Sequence, residues 1–416
     1  MHKIPFSPPR IDAATIDAVR EVLESGWITT GPVTKSLEKE VAELSQIPRA
    51  LCVSSATMGL ELLLRWLGVG EGDEVIIPAY TYCATANVVL HCGARPVMVD
   101  VLPDTLTIDP EQVAAAITER TKVIVPVDLG GLPADYLDLW RIIESEEVMR
   151  RFRADNEVQE QLGRIALIAD AAHSIGARYR GRSAASWCDA AVFSFHAVKN
   201  IATAEGGAIC FNMPAPFDND QLYQLLNVRS LHGQSKDALA KLGTNAWEYD
   251  VVEAGYKCNM PDVLAAMGLV EIRRYREDTL PRRRQIMEQY VEALENYDRA
   301  ELPHFHSADK ESSCHLFLLR IRDISLEERN NIIRMIFALG VSVNVHYKPL
   351  PLLTVYKKRG YRMEDFPVAR DAWHREITLP VYYDLSEANV GRVVSAVGQS
   401  TERETLPLII PSEVTE

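Results

Sequence analysis

Phe193-Ser194-Phe195-His196-Ala197-Val198-Lys199-Asn200, followed closely by Glu205-Gly206-Gly207, is the stretch on which the fold turns. Ala190 to Phe193 is mostly apolar and reads as the end of a buried strand. A small hydroxyl, a histidine and a single lysine then arrive in quick succession, and a glycine pair follows. Lys199 therefore sits among apolar neighbours rather than on a solvated face. Burial disfavours the ammonium and enlarges the neutral, nucleophilic fraction, which is what Schiff-base chemistry requires. On this octapeptide alone, a lysine snorkelling from a strand end to water reads equally well.

One segment upstream tilts the balance. Residues 165–169 are an apolar run bounded by charge, the pattern of a core strand. That run ends in Asp170-Ala171-Ala172-His173-Ser174-Ile175-Gly176-Ala177. An acid at the carboxyl end of a buried strand lies where open α/β sheets place ligands. Alone, Asp170 also reads as a helix N-cap. Paired with Lys199 it suggests a pyridoxal phosphate (PLP) site, in which the acid keeps the ring nitrogen protonated and the lysine holds the aldehyde.

Further out, strands and helices alternate. Residues 11–25 and 34–45 have helical spacing, and 49–53 reads as a strand. Ser54-Ser55-Ala56-Thr57 then opens a helical run at 58–67, so free amides, a helix dipole and hydroxyls converge there as in an anion site. The same residues also read as plain N-caps. Gly68-Val69-Gly70-Glu71-Gly72 follows a helix rather than a strand, so the dinucleotide fingerprint fails. Strands at 75–78, 96–99 and 122–127 alternate with helices at 83–91, 110–118 and 135–150, the rhythm of a wound α/β sheet. Tyr82 falls at a strand-to-helix junction, suited to stacking on a flat ring or simply to the core. Residues 143–163 are charged and helical, 208–211 a strand and 218–228 a helix. The pattern changes across helices at 262–297. Segments 316–321 (strand), 326–339 (helix), 341–345 (strand) and 386–399 (helix) then form a smaller α+β unit. The expected division is a large α/β domain at 14–270, a small α+β domain at 271–402 together with 1–13, and a loose tail at 403–416.

Composition narrows the class. The 416 residues carry 44 basic and 58 acidic side chains, a net charge of −14, which argues against nucleic-acid binding. No apolar run is long enough for a membrane span, and the first residues lack a signal-peptide core, so a cytoplasmic protein is expected. Seven scattered cysteines show no metal spacing and read as reduced core residues. No metal is expected.

Taken together, Phe193–Gly207, Asp170-Ala-Ala-His173 and Gly255-Tyr-Lys-Cys-Asn259 resemble the DegT/DnrJ/StrS family of sugar aminotransferases. Supporting segments are Ser25-Gly-Trp27-Ile-Thr-Thr-Gly31-Pro32, Ser54-Ser-Ala-Thr57, Glu71-Gly-Asp73-Glu-Val, His346-Tyr-Lys348-Pro349, and Ala84-Thr-Ala-Asn87 with Gly93-Ala-Arg-Pro96-Val-Met-Val-Asp100. The likeness runs from about residue 5 to 400 and is nearest the ArnB-type branch, which aminates a UDP-4-keto-pentose, with the hexose-acting PseC-type branch second. It implies the fold-type I architecture of PLP-dependent transferases, a mixed and mostly parallel sheet with a smaller C-terminal domain, in a homodimer whose active sites are shared. By resemblance Lys199 holds the cofactor covalently, Asp170 pairs with its ring nitrogen, His173 sits by its ring hydroxyl and Tyr82 stacks on its face. The phosphate falls to Ala56, Thr57 and Ser194, with Asn259 reaching it from the neighbouring subunit. Glutamate is the implied amino donor, released as 2-oxoglutarate, and a nucleotide-linked keto sugar the acceptor. Arg229, His315, His346 and Lys348 are the candidate substrate contacts. The 143–163 segment and the loop from His232 to Glu253 are longer than the family pattern implies, and the latter leaves the sugar open. A pyridoxamine-dependent sugar dehydratase, or a regulator that keeps the fold without the chemistry, are the competing readings; the intact Lys199 speaks against both.

Overall fold

The computed structural model describes residues 3–235 and 248–402. Among these, seven strands form the main sheet: β1 (Arg49–Val53), β2 (Glu74–Pro78), β3 (Arg95–Val99), β4 (Thr121–Ile124), β5 (Ala166–Asp170), β6 (Ala190–Ser194) and β7 (Gly207–Phe211). Their order is β1-β7-β6-β5-β4-β2-β3. Only β7 runs against its neighbours, β1 and β6; the other ladders are parallel.

The strands are almost wholly buried, as a parallel sheet covered on both faces must be. Alternation along each strand divides the apolar side chains between two cores. Leu51, Val53, Val75, Ile77, Ile168, Val192 and Ile209 feed one. Ala50, Cys52, Ile76, Leu167, Ala191, Phe193 and Cys210 feed the other. A third core gathers Ile4 with residues from Ile286 to Val397. It lies on a three-stranded sheet of β8 (Ala300–Glu301), β9 (Phe317–Ile321) and β10 (Glu376–Leu379) in the order β8-β9-β10.

Two expected elements differ. The run 135–150 is two helices, Tyr136–Ile143 and Glu146–Arg151, because Ser145 caps the second through its hydroxyl and restarts the chain. Residues 341–345 are not a strand but make single bridges, Ile4 to Val341 and Asn344 to Thr378. The Asn344 carboxamide takes the Val345 N–H at 2.8 Å, a local bond that competes with a ladder. β10 was not read from the sequence at all. The tail at 403–416 and the middle of the loop from His232 to Glu253 lie outside the described residues.

Candidate active site

The carboxyl ends of the parallel strands converge on a cavity of about 450 Å³. β5 delivers Asp170 to it and β6 delivers Ser194, with Lys199 five residues further on. The helix Ala56–Trp66, entered from β1, points its N-terminus at the same space, and Tyr82 stands at the start of the helix Cys83–His91. From the C-terminal part of the chain come His315, His346 and Tyr347.

Two glycines seat the Ala56–Trp66 helix against the sheet. A Cβ on Gly207 would lie 2.5 Å from the Ala56 amide nitrogen, and one on Gly59 would lie 2.8 Å from Val192. The Ser55 hydroxyl caps the Met58 N–H at 3.2 Å. The Ala56 and Thr57 amides keep no partner among the described residues, so an uncompensated positive end faces Ser194 across the cavity floor. That is a cradle for a phosphate dianion.

Asp170 is 6% exposed and accepts from the Thr85 hydroxyl at 2.7 Å and the Ala172 N–H at 3.3 Å. Burial pushes its carboxyl up, against those bonds and the charge of Lys199. Among the described residues no guanidinium lines the cavity, so this carboxylate suits a cationic ring nitrogen. Burial brings the Lys199 amine down to about 8, with Asp170 opposing. His173 and His315 are pushed well below the ordinary imidazole range and His346 to about 3, in each case first by burial. These donor and acceptor types, amine, buried carboxylate and amide cradle, fit PLP.

The structure gathers most, but not all, of the residues singled out above. Lys199, Asp170, His173, Ala56, Thr57, Tyr82, Ser194, His315 and His346 line the cavity. Both His173 nitrogens are occupied: Nδ1 accepts from the Gly130 N–H at 3.2 Å and Nε2 meets the Tyr347 hydroxyl at 2.9 Å. Arg229 is elsewhere, paired with Glu253 at 2.8 Å beside a second cavity. Lys348 does not line the site. Asn259 bonds the Thr30 hydroxyl at 2.5 Å and also Lys257. Sequence reasoning missed Thr85 and Tyr347. Each stood inside a quoted segment, Thr85 in Ala84–Asn87 within the first turn of its helix and Tyr347 in His346–Pro349, and was passed over.

A lysine and an acid at adjacent strand ends, above a helix N-terminus, define a fold-type I PLP-dependent transferase. The chain belongs to the DegT/DnrJ/EryC1/StrS aminotransferase family, which it matches over residues 9–398. It is 35% identical over 404 residues to the spore coat polysaccharide biosynthesis protein SpsC of Bacillus subtilis (strain 168), covering 95% of this chain and 96% of that one. The candidate sugar aminotransferase Spr1654 of Streptococcus pneumoniae, solved in its PMP-form, is 45% identical with a TM-score of 0.92, covering 96% of this chain and 99% of that one. Its PLP-form gives 0.91 at 43% identity over the same shares. The aminotransferase TlmJ from Streptoalloteichus hindustanus is 30% identical with a TM-score of 0.82, covering 97% and 100%. No helix among the described residues is long and apolar enough to cross a membrane.

Proposed function

We propose that the protein is a PLP-dependent aminotransferase that moves an amino group from glutamate to a nucleotide-linked keto sugar, in the cytoplasm, for polysaccharide biosynthesis. The observation that carries this reading is Lys199, poised at about 8 beside the buried Asp170 in a cavity floored by a helix N-terminus. The family and the polysaccharide-pathway relative support it.

When bound, PLP supplies the aldehyde that receives the amino group and the ring that takes up electrons. Asp170 holds the ring nitrogen protonated, and its bonds to Thr85 and Ala172 aim the carboxylate. The Ala56 and Thr57 amides and Ser194 hold the phosphate, and Tyr82 covers the ring face. The Lys199 amine, partly unprotonated at neutral pH, takes the proton from the α carbon of glutamate. In the second half it delivers a proton to the sugar carbon that carried the keto oxygen.

The working unit in this reading is a homodimer with shared sites. Tyr82 and Val198 line the cavity yet stay 58% and 38% exposed, an apolar rim suited to a second copy. Asn259 then serves the neighbouring site. The domain division at residue 271 is part of the same proposal, the small domain supplying His315 and His346.

The test is the visible spectrum of the purified protein, before and after glutamate and then after a panel of nucleotide keto sugars. A band that bleaches with glutamate and returns with one sugar establishes the reaction and names the acceptor. A colourless protein that stays so after added PLP defeats the reading.

A further inference from the structure

The acid of the cavity floor is held from behind by two hydroxyls. In an α-helix the Cα–Cβ bonds tilt toward the N-terminus. Thr85, in the first turn of the helix Cys83–His91, therefore carries its hydroxyl back toward the helix end. There it meets Asp170 Oδ2 at 2.7 Å and the hydroxyl of Thr81 at 3.0 Å. Thr81 and Thr85 are both buried, so bulk water does not replace either contact.

The direction of these bonds follows from what each group can do. An ionised carboxylate only accepts, so the Thr85 hydrogen lies on Asp170 Oδ2. A hydroxyl has one hydrogen, so Thr81 must be the donor in its contact with Thr85 Oγ1. The result is a directed chain, Thr81 to Thr85 to Asp170, in which each bond polarises the next. The other carboxylate oxygen, Oδ1, takes the Ala172 N–H over a longer 3.3 Å. Burial raises the Asp170 carboxyl, and the Thr85 hydroxyl is the foremost influence against it, ahead of the Ala172 N–H and the charge of Lys199. Tyr347 also feels this carboxylate, and burial keeps its phenol protonated.

We propose that Thr81 and Thr85 are positioning residues acting through Asp170, a two-hydroxyl relay that keeps the buried carboxylate ionised and aimed for the ring nitrogen of the cofactor. The inference rests on the PLP reading and deepens it. The charge on which a protonated ring nitrogen depends is set by the start of the helix Cys83–His91, not by the strand that carries Asp170. Without the Thr85 hydroxyl, a buried acceptor on Oδ2 goes unpaired, which is the costly arrangement.

Carbon-13 NMR of the aspartate carboxyls, in the full-length protein without cofactor, tests this directly, with the Asp170 signal assigned by Asp170→Asn. Thr85→Val keeps the shape and removes the hydroxyl, and should move the Asp170 titration up by about one pH unit. Thr81→Val should move it the same way by roughly 0.1–0.3 of a unit, the share expected of an outer link. Thr85→Ser retains the hydroxyl and should leave the titration where it is in the wild type. With PLP restored, Thr85→Val should slow the glutamate half-reaction about tenfold at saturating glutamate, and Thr85→Ser should recover most of that loss. A titration unmoved by Thr85→Val, or moved as far by Thr85→Ser, overturns the proposal, since packing rather than the hydroxyl would then be at work. Should Thr85→Val fail to fold, Thr81→Val carries the test: no shift, or a downward one, overturns the relay. The titrations need neither cofactor nor sugar. The expected shifts in a protein that stays colourless with added PLP would defeat the functional reading while the relay stands.

Discussion

The cavity has two sides built on opposite terms. Its floor, at the strand ends of the large sheet, holds Asp170, whose carboxyl burial pushes up, Lys199, whose amine burial brings down to about 8, and the amides of Ala56 and Thr57, which keep no partner among the described residues. Its wall, carried by residues next to β9 and β10, holds His315, His346 and Tyr347, and these are tied and neutral. His315 is locked by Asn200; His346 Nδ1 meets the Thr378 hydroxyl at 2.8 Å, which bonds the buried Glu376 at 2.5 Å. Both sides are buried, so burial does not distinguish them. Compensation does. Groups that must change charge during a reaction are left under-compensated, and groups that must recognise a fixed pattern have their protons assigned by neighbours.

The harshest way to break this contrast is Lys199→Ala. The floor loses its nucleophile and its proton carrier together, so turnover should fall by about 10⁴-fold or more while the thermal midpoint changes little. Activity near the wild-type level would end the floor-and-wall description as an account of catalysis. Asp170→Asn is the next largest. An amide cannot hold a ring nitrogen protonated, so kcat should drop roughly 10³-fold. The same change removes the charge that raises the Lys199 pKa, so the pH midpoint for acylating that amine in the cofactor-free protein should move below about 8. An unmoved midpoint would show that the two groups are uncoupled.

The two sides also differ in how legible they were. The floor could be read because each of its groups closes an apolar strand: Asp170 ends 166–170, Ser194 ends 190–194, and Ser55-Ala56-Thr57 follows 49–53. Strand period and strand end are local signals, and the ligand position follows from them. The wall could be read only as residue types. His315 precedes β9 and His346 follows a segment that mimics a strand, and what aims them is Asn200 and Thr378, more than 30 residues away in the chain in either case. Arg229 failed for the same reason. Its partner Glu253 is 24 residues on, and no local pattern says which way a guanidinium turns. Thr85 stood inside the quoted Ala84–Asn87 segment, yet a hydroxyl in the first turn of a helix shows no role until Asp170 is placed beside it.

A third change approaches the floor from behind. In Gly207→Ala the new methyl would lie 2.5 Å from the Ala56 nitrogen and 2.7 Å from the Phe193 carbonyl oxygen, both backbone atoms with no rotamer to yield. The helix must back away from the sheet. About 1–3 kcal/mol of stability should go, measurable by denaturant unfolding. Affinity for inorganic phosphate at the Ala56 and Thr57 amides should weaken with it. Stability lost with phosphate affinity intact would mean that the seating of this helix and the cradle are separable.

The smallest expected effect concerns the wall's own acid. Burial raises Glu376 to about 8, against the Thr378 hydroxyl, the His346 N–H and the charges of Arg329 and Arg320. In the unfolded chain this carboxyl titrates at its ordinary value near 4.5. Between those two values the folded protein binds the extra proton, so stability contributed at this site is full below about 4.5 and is lost as pH rises toward about 8. Glu376→Gln cannot titrate. It also has one acceptor oxygen where the carboxylate used two, accepting from Thr378 and from the His346 N–H. A fixed offset at every pH is therefore expected, on the order of 1 kcal/mol. The informative quantity is the slope: the fall in thermal midpoint between pH 5 and pH 8 should shrink by about 2–4 °C relative to the wild type. An unchanged slope would place the acid's proton outside the balance of the fold. The wall would then be locked by geometry alone, with Thr378 and Asn200 sufficient to hold its imidazoles.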